Sequence, residues 1–322
     1  MDMLDIIVMS KNKELSIVVP VYECEDSLAE LYKRLAKTLE DMNLPYEIIL
    51  VDDGDPSNAW KLICELAQKD KNVKGIKLSR NFGQHPAISA GLENSNGQWI
   101  VVMDGDLQHK PEDIPKLYSK ALKGKDIVFA KRSLRRDNFW KILSSKLFYK
   151  VFSYLTDTTW DSSATNFGIY KKRVIKAVMS MPESQKYFPV MVRWVGFESS
   201  EIELKHEERT LGESSYTFSK LISLSINIML SFSVKPLSLM IRGGFFISFI
   251  STLVAVYLVV NSYIGSVEVE GWTSVMVSMW FLGGLMISII GLVGYYVGLS
   301  FNETKKRPIY IVSETTGDNF KE

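Results

Sequence analysis

Two aspartates one residue apart close a short apolar run: WIVVMD ends at Asp104, and Asp104-Gly105-Asp106-Leu107-Gln108 follows. Along an extended chain residues i and i+2 point to the same face, so Asp104 and Asp106 can share one cation. Two hard carboxylates with open positions suit Mg²⁺ or Mn²⁺ held against a diphosphate, and Gly105 allows close backbone approach. An acidic turn capping the helix that begins near Pro111 would use the same residues, so the DxD alone does not decide between the two. Three other apolar runs also end in polar groups: Pro20-Val21-Tyr22-Glu23, Asp52-Asp53-Gly54-Asp55 and Ser79-Arg80-Asn81-Phe82-Gly83. His85, His109 and His206 are too widely spaced for a zinc pattern and read as loop or surface residues. Of these, His85 directly follows RNFGQ, beside the polar end of the third run. Cys24 lies near the same residues, with nothing to mark it as a nucleophile.

The elements that must position these groups read as alternating strand and helix over about residues 14 to 215. LSIVVPV (15–21), YEIILVD (46–52), VKGIKLS (73–79), WIVVMD (99–104) and DIVFA (126–130) are short apolar runs bounded by turn or charged residues. Leu28, Leu31, Leu35, Leu39 and Met42 recur at helical spacing between the first two. Pro111 opens a second helix, PEDIPKLYSKALK, with acids in its first turn. Near-continuous apolar strands in a βαβα series predict an α/β, Rossmann-like, mostly parallel sheet with helices on both faces. Ligands of such sheets bind beyond the carboxyl ends of the strands.

Composition excludes several classes. With 38 Lys+Arg against 37 Asp+Glu the net charge is +1, which argues against a nucleic-acid binder relying on bulk positive charge. A 46% hydrophobic content excludes intrinsic disorder. Two cysteines, Cys24 and Cys64, cannot build a secreted disulfide framework and fit a reducing compartment.

Charge followed along the chain shows a second region. Between Arg242 and Glu268 lie 25 residues without Asp, Glu, Lys or Arg, and between Glu270 and Glu303 lie 32 more. Each run exceeds the roughly 20 apolar residues that cross a bilayer core, so two transmembrane helices are expected. The intervening Gly265 to Thr273 carries Glu268 and Glu270, whereas Lys220, Lys235, Arg242, Lys305, Lys306 and Arg307 flank the pair on the other side. The positive-inside rule then places the large domain and both termini in the cytoplasm, in a multi-pass protein of the inner (plasma) membrane. The opening MDMLDIIVMSKNK has acidic residues and too short an apolar run for a signal peptide. Tyr216 to Val234, with Lys220 its only charge, reads as an amphipathic helix lying in the bilayer interface. The expected domains are thus 1–215, catalytic; 216–234, interfacial; 235–302, the membrane hairpin; and 303–322, a cytoplasmic tail. Gly294 and Gly298 have the small-xxx-small spacing of helix packing, which points to a homo-oligomer.

The order strand–PVY, strand–VDDG, SRNFG, strand–DGDLQ resembles the inverting family 2 glycosyltransferases with the A-type fold. SRNFGQHPAISAGL, DGDLQHKPEDIP, MPESQKYFPVMVRWVGF, the two apolar helices and KKRPIYIV resemble, within that family, the polyisoprenyl-phosphate glycosyltransferases. These are the dolichol-phosphate-mannose synthase relatives, which include bacterial bactoprenol glucosyl- and aminoarabinosyltransferases. The resemblance implies a nucleotide-sugar donor, UDP-glucose first, and a bactoprenyl or dolichyl phosphate acceptor. It implies that Asp52 and Asp53 contact base and ribose beside Pro20 and Tyr22, and that Arg80 and Gln108 lie on the donor. It implies that Asp104 and Asp106 hold the metal, and that Arg132, Arg209 and Ser214 grip the acceptor phosphate. A solvated basic loop is the competing reading for Lys131, Arg132, Arg135 and Arg136.

Four departures stand out. Glu23-Cys24 replaces the usual Asn-Glu after the tyrosine, and Asp55 replaces the serine of VDDGS. Asn166 stands where relatives carry the aspartate of GDFR, and Gly212-Glu213-Ser214-Ser215-Tyr216 lacks a lysine. Asp161 is the candidate for the missing catalytic carboxylate, with a plain loop acid as its alternative. A base is not required, however, because a phosphate monoester with a second pKa of about 6 is already largely dianionic at pH 7.

Other classes fit less well. An Asp-nucleophile phosphatase would want Thr or Val at Gln108, and its motif would open the fold. A processive polysaccharide synthase would want QxxRW, whereas Val190 precedes Arg193-Trp194, and more membrane spans. A nicotinamide dehydrogenase would need GxGxxG, but the first glycine of the chain is Gly54.

Overall fold

The computed structural model describes residues 13–132, 153–154, 164–183, 186–204, 230, 233, 235–264 and 271–316. Five strands fall where the apolar runs predict them: β1 (Leu15–Val21), β2 (Tyr46–Asp52), β3 (Val73–Leu78), β4 (Trp99–Val102) and β5 (Ile127–Arg132). Between them run α1 (Glu25–Asp41), α2 (Ala59–Lys69), α3 (Gln84–Glu93) and α4 (Ile114–Ala121), the last entered through a 3₁₀ turn at Pro111–Asp113. Then follow β6 (Ala164–Lys171), α5 (Lys172–Met179), α6 (Phe188–Trp194), β7 (Ser199–Leu204), α7 (Lys235–Ile264), α8 (Trp272–Thr304) and β8 (Val312–Thr315).

The described strands form one sheet in the order β7-β5-β6-β4-β1-β2-β3-β8. β1 pairs in parallel with both β2 and β4, and β2 with β3. The carboxyl ends of these four strands therefore open on one edge of the sheet. β4 and β5 pair antiparallel with β6, and β8 antiparallel with β3, so the sheet is mixed rather than uniformly parallel. Alternation along β1 explains the layers. Ile17, Val19 and Val21 join the buried cluster that holds Leu28, Leu31 and Leu35 of α1, while α3 packs on β1 and β2 from the face that Val18 occupies.

The element ends differ from expectation in two instructive places. β4 stops at Val102, two residues before Asp104, and Leu107 has φ +61°, so Asp104 and Asp106 lie in a turn. Strand alternation therefore does not orient them; contacts from neighbouring loops do. β5 runs on through Arg132, pairing Arg132 with Leu204 of β7, so Lys131 and Arg132 are strand residues and not a basic loop.

By internal contacts the chain divides into two units: 1–150 with 158–215 and 307–322, and 151–157 with 216–306. In the second unit α7 and α8 touch each other. Ser278–Thr304 of α8 is long and apolar enough to cross a membrane, with a mean hydropathy of 1.9. α7 is a 30-residue helix that exposes Phe245, Phe246 and Phe249; among the described residues only the one stretch in α8 meets that length and hydropathy standard. The interfacial helix expected over 216–234 lies outside the described residues, apart from isolated positions at its end.

The tail, in contrast, adds a strand the sequence did not announce. β8 completes the β3 edge, where Glu314 accepts from Lys77 Nζ at 2.8 Å and from Trp60 Nε1 at 3.0 Å. Thr316 Oγ1 accepts from the Gly75 backbone at 2.7 Å.

At the opposite end of the strands a buried carboxylate holds the sheet together. Glu47 accepts from Ser16 Oγ at 2.6 Å, from the Asn96 backbone at 2.6 Å and from Lys74 Nζ at 2.7 Å. Burial alone would raise its pKa, but the Lys74, Ser16 and Asn96 bonds outweigh that and leave it below the ordinary carboxylate value. Glu47→Gln should cost about 2–4 kcal/mol, because it leaves Lys74 without its charge partner and turns an amide donor toward other donors. A depressed folded pKa means the ionised carboxylate's contribution is complete above the unfolded value of about 4.3 and is lost as pH falls through the folded value. The gap in melting temperature between wild type and Glu47→Gln should thus be constant from pH 6 to 8 and shrink below about pH 4. A gap that persists undiminished at pH 3 would refute this origin.

Candidate active site

Four loops leave the carboxyl ends of β1 to β4, and hydrogen bonds join them in a closed ring. The Glu23 backbone, at φ +51°, donates to Asp55 Oδ2 at 2.6 Å, tying the β1 loop to the β2 loop. Asp53 accepts from the Phe82 and Gly83 backbones, both at 2.8 Å, tying the β2 loop to the β3 loop. Gln84 Nε2, at the start of α3, donates to Asp104 Oδ1 at 2.6 Å, tying the β3 loop to the β4 loop. Ser27 Oγ donates to the Gly105 carbonyl at 2.7 Å and closes the ring on α1.

Two glycines make this approach possible. Gly54 has φ +67°, and a Cβ there would sit 2.5 Å from Arg80 C and Asn81 N. A Cβ on Gly105 would meet Cys24 Sγ at 2.8 Å and the Pro20 carbonyl at 3.3 Å. The departure Asp55 finds its explanation here, since its carboxylate takes the Glu23 backbone N–H. Asp55 Oδ1 takes the Ser57 backbone at 2.7 Å as well.

Within the ring the acids differ. Asp53 is buried with both oxygens engaged by the loop that follows β3. Asp52 is buried with Oδ1 accepting from the Asp55 backbone at 2.8 Å, while Oδ2 has no partner among the described residues. Burial raises the pKa of both above the ordinary value. Asp52 thus keeps an uncommitted acceptor at the carboxyl end of β2. Tyr22 is exposed, and the Arg80 guanidinium lies over the Phe82 ring at 4.1 Å.

Asp104 and Asp106 are each half-exposed. Asp104 Oδ2 lies 3.8 Å from Nε2 of His109, a buried ring stacked on Phe167 at 4.8 Å. His109 therefore links the β4 turn to β6, at the residue after Asn166. Asp106 Oδ1 accepts from the Gln108 backbone at 3.1 Å. Cys24, crowded against Gly105, has its thiol pushed up to about 12 by burial, which disfavours the thiolate.

A glycosyl transferase family 2 model matches residues 16–178, the stretch that builds this ring. The chain belongs to that family. An uncharacterized glycosyltransferase of Synechocystis sp. is 34% identical over 305 residues, 94% of this chain and 96% of the relative. The undecaprenyl-phosphate 4-deoxy-4-formamido-L-arabinose transferase of Proteus mirabilis is 32% identical over 310 residues, 95% of each chain. Among solved structures, glucosyl-3-phosphoglycerate synthase from Mycobacterium tuberculosis, in complex with Mn²⁺, UDP-glucose and phosphoglyceric acid, aligns with a TM-score of 0.50. That alignment has 14% identity and covers 68% of this chain and 78% of the other, a likeness of fold.

The DGD turn of this glycosyltransferase fits a divalent cation of the open kind. Asp104 and Asp106 supply two hard oxygen donors, and no group of three or more His, Cys, Asp or Glu that could enclose a metal occurs among the described residues. Magnesium-type sites commonly take one or two carboxylates and complete their shell with substrate phosphates and water.

The remaining expected site residues divide plainly. Pro20 and Asp52 stand at the carboxyl ends of β1 and β2, and Tyr22, Asp53, Arg80, Asp104, Asp106 and Gln108 on the loops that follow β1 to β4, all at one sheet edge. Asp161, Arg209 and Ser214 lie outside the described residues, and Arg132 is described only in its backbone. Sequence reasoning took His109 for a loop or surface residue, whereas its ring is buried against Phe167, and it missed Gln84 and the Glu23–Asp55 contact. Gln84 adjoins the RNFG motif, which was its one signal; the other contacts span distances in sequence that no local pattern reports.

Proposed function

We propose that this family 2 enzyme is membrane-bound and transfers a sugar, with inversion, from a nucleotide-sugar to a polyprenyl phosphate at the cytoplasmic face. The observation that carries the acceptor is the match to the Proteus undecaprenyl-phosphate transferase over 95% of both chains, a span that takes in the apolar helix α8. The donor is first sought as UDP-glucose, with the formamidoarabinosyl nucleotide and GDP-mannose next. Incubating membranes that contain the protein with polyprenyl phosphate and labelled nucleotide-sugars tests this reading: label should enter the lipid phase. Label that enters water-soluble product alone would overturn it.

In the mechanism, Asp52 takes the base and ribose with its free oxygen, and Asp53 acts by holding the loop that carries Arg80. Asp104 and Asp106 would hold Mg²⁺ or Mn²⁺, which supplies Lewis-acid neutralisation of the departing nucleoside diphosphate. Gln84 fixes the Asp104 carboxylate, and His109, stacked on Phe167 of β6, backs it. An acceptor phosphate oxygen forms the new bond to the anomeric carbon as the bond to the diphosphate breaks. Arg132, Arg209 and Ser214 are assigned to the acceptor phosphate, Arg because its planar fork matches phosphate oxygens.

Asn166, half-buried on β6, cannot take a proton as a carboxylate would. If the acceptor attacks as its dianion, the acid limb of the rate profile follows the lipid phosphate at about pH 6. Asp161→Asn should then cost less than about tenfold, or about 1.4 kcal/mol of barrier, at saturating lipid. Abolished turnover with intact donor binding would make Asp161 the base instead.

For the membrane arrangement, α7 and α8 both span, residues 216–234 lie in the interface, and only Gly265 to Thr273 faces outside. The basic flanks motivate this. A cysteine at position 266 should react with an impermeant thiol reagent added to intact cells, and one at 313 should not. The reverse pattern would invert the topology.

A further inference from the structure

His85 is the second residue of α3, directly after the Gln84 whose amide holds Asp104. Its ring is part-exposed, yet Nδ1 is buried with no hydrogen-bond partner among the described residues. Tyr187, at the entry to α6, packs edge-on against the ring with centroids 5.3 Å apart. A buried nitrogen left unpaired is a standing cost to the fold. Nothing in the fold collects that cost back, because α3 is already anchored on β1 and β2 by its own apolar face.

The chemistry of the ring narrows what it can meet. Burial lowers its pKa to about 4, so the ring is neutral at physiological pH. A neutral imidazole brings no charge to a diphosphate. The tautomer of an imidazole is set by the bond its inner nitrogen makes, and here that nitrogen makes none. The open edge can therefore present either a donor or an acceptor, which matches a hydroxyl, itself both. Position agrees with this. The base is assigned to Asp52 and the diphosphate to Asp104, and His85 directly follows the residue whose amide touches Asp104.

We infer that His85, backed by the Tyr187 ring, reads a hydroxyl of the donor's sugar and helps set which nucleotide-sugar the enzyme accepts. This rests on the donor-site assignment above.

The test uses full-length protein purified in detergent, with UDP-glucose, UDP-N-acetylglucosamine and GDP-mannose, each beside its free nucleoside diphosphate. Affinities are measured by calorimetry with Mn²⁺ present, and transfer to polyprenyl phosphate is measured separately. In His85→Ala the best-bound nucleotide-sugar should weaken about tenfold, as expected for losing one well-placed hydrogen bond, while the free diphosphate changes less than about twofold. The preference among the three donors should narrow by a similar factor. His85→Phe keeps a ring against Tyr187 and should show the same loss, whereas His85→Asn, with both a donor and an acceptor, should recover part of it.

Equal weakening of the sugar nucleotide and the free diphosphate would overturn the inference in favour of a base or phosphate contact. Unchanged affinities, or a His85→Phe variant that behaves as wild type, would reduce the residue to packing. A wild type that binds no donor better than its diphosphate overturns it too. A wild type that binds donors selectively but labels no lipid defeats the acceptor assignment and leaves the His85 inference standing.

Discussion

Asp104→Asn and Asp106→Asn should each lower the turnover number by about 100- to 1,000-fold, the range seen when one electrostatic contact to developing charge is removed. The argument depends on charge rather than shape. Asparagine is isosteric with aspartate, and at position 104 its Oδ1 can still accept the 2.6 Å bond from Gln84 Nε2. The β4 turn keeps its ties to α1 through Ser27 and the Gly105 carbonyl. Melting temperature should therefore hold while activity falls. Gln84→Ala is the complementary change: it leaves the charge and removes the group that orients it, so a loss nearer tenfold is expected. Rates at saturating donor and lipid separate these effects from binding. Electron paramagnetic resonance of Mn²⁺ with nucleoside diphosphate gives a readout independent of turnover, in which both Asn variants should release the ion. Full activity in excess chelator would remove the cation from the reaction.

The difference between 104 and 106 shows why the site was only half legible in the sequence. The strands β1, β2 and β4 could be read directly, because each is a largely apolar run buried on both faces, and β3 because Val73, Ile76 and Leu78 are buried between lysines that reach the surface. The acids at their ends followed as residue types. What orients those acids did not follow. Asp53 meets backbone groups 29 and 30 residues away, Asp55 meets Glu23 across 32, and Ser27 meets Gly105 across 78. No periodicity carries such pairings, since each is one side chain against one backbone group. Two of the three missed strands, β7 and β8, have a related cause. β7, SSEIEL, buries only Leu204, and β8, VSET, is four exposed residues. Neither buries enough apolar surface to show a pattern. β8 is held by bonds such as Ser313 Oγ to the Lys77 carbonyl, 236 residues earlier.

Asp53 offers the second large effect, and it separates two roles that the motif alone cannot. As a nucleotide ligand, Asp53 would govern affinity for the free nucleoside diphosphate and leave the apo protein's stability nearly untouched. As found, its two oxygens accept from Phe82 and Gly83, and Gly83, at φ +103°, holds a conformation with little intrinsic preference to persist. Hydrogen bonds to a charged group contribute about 1.5–3 kcal/mol each. Asp53→Ala should therefore cost about 3–5 kcal/mol and lower the melting temperature clearly. The loop it releases carries Arg80 and leads into Gln84, so the fraction of enzyme competent to bind donor should fall, and apparent affinity with it. A rise of at least tenfold in donor KM is expected. Asp53→Asn keeps the acceptor for one backbone N–H but sets an amide donor against the other, so it should fall between wild type and Asp53→Ala in both measures. The decisive comparison is hydrogen exchange at residues 80–84 in the protein without nucleotide. Faster exchange there in Asp53→Ala establishes the latch. Unchanged exchange and unchanged melting, with donor affinity lost, would instead return Asp53 to direct contact with the nucleotide.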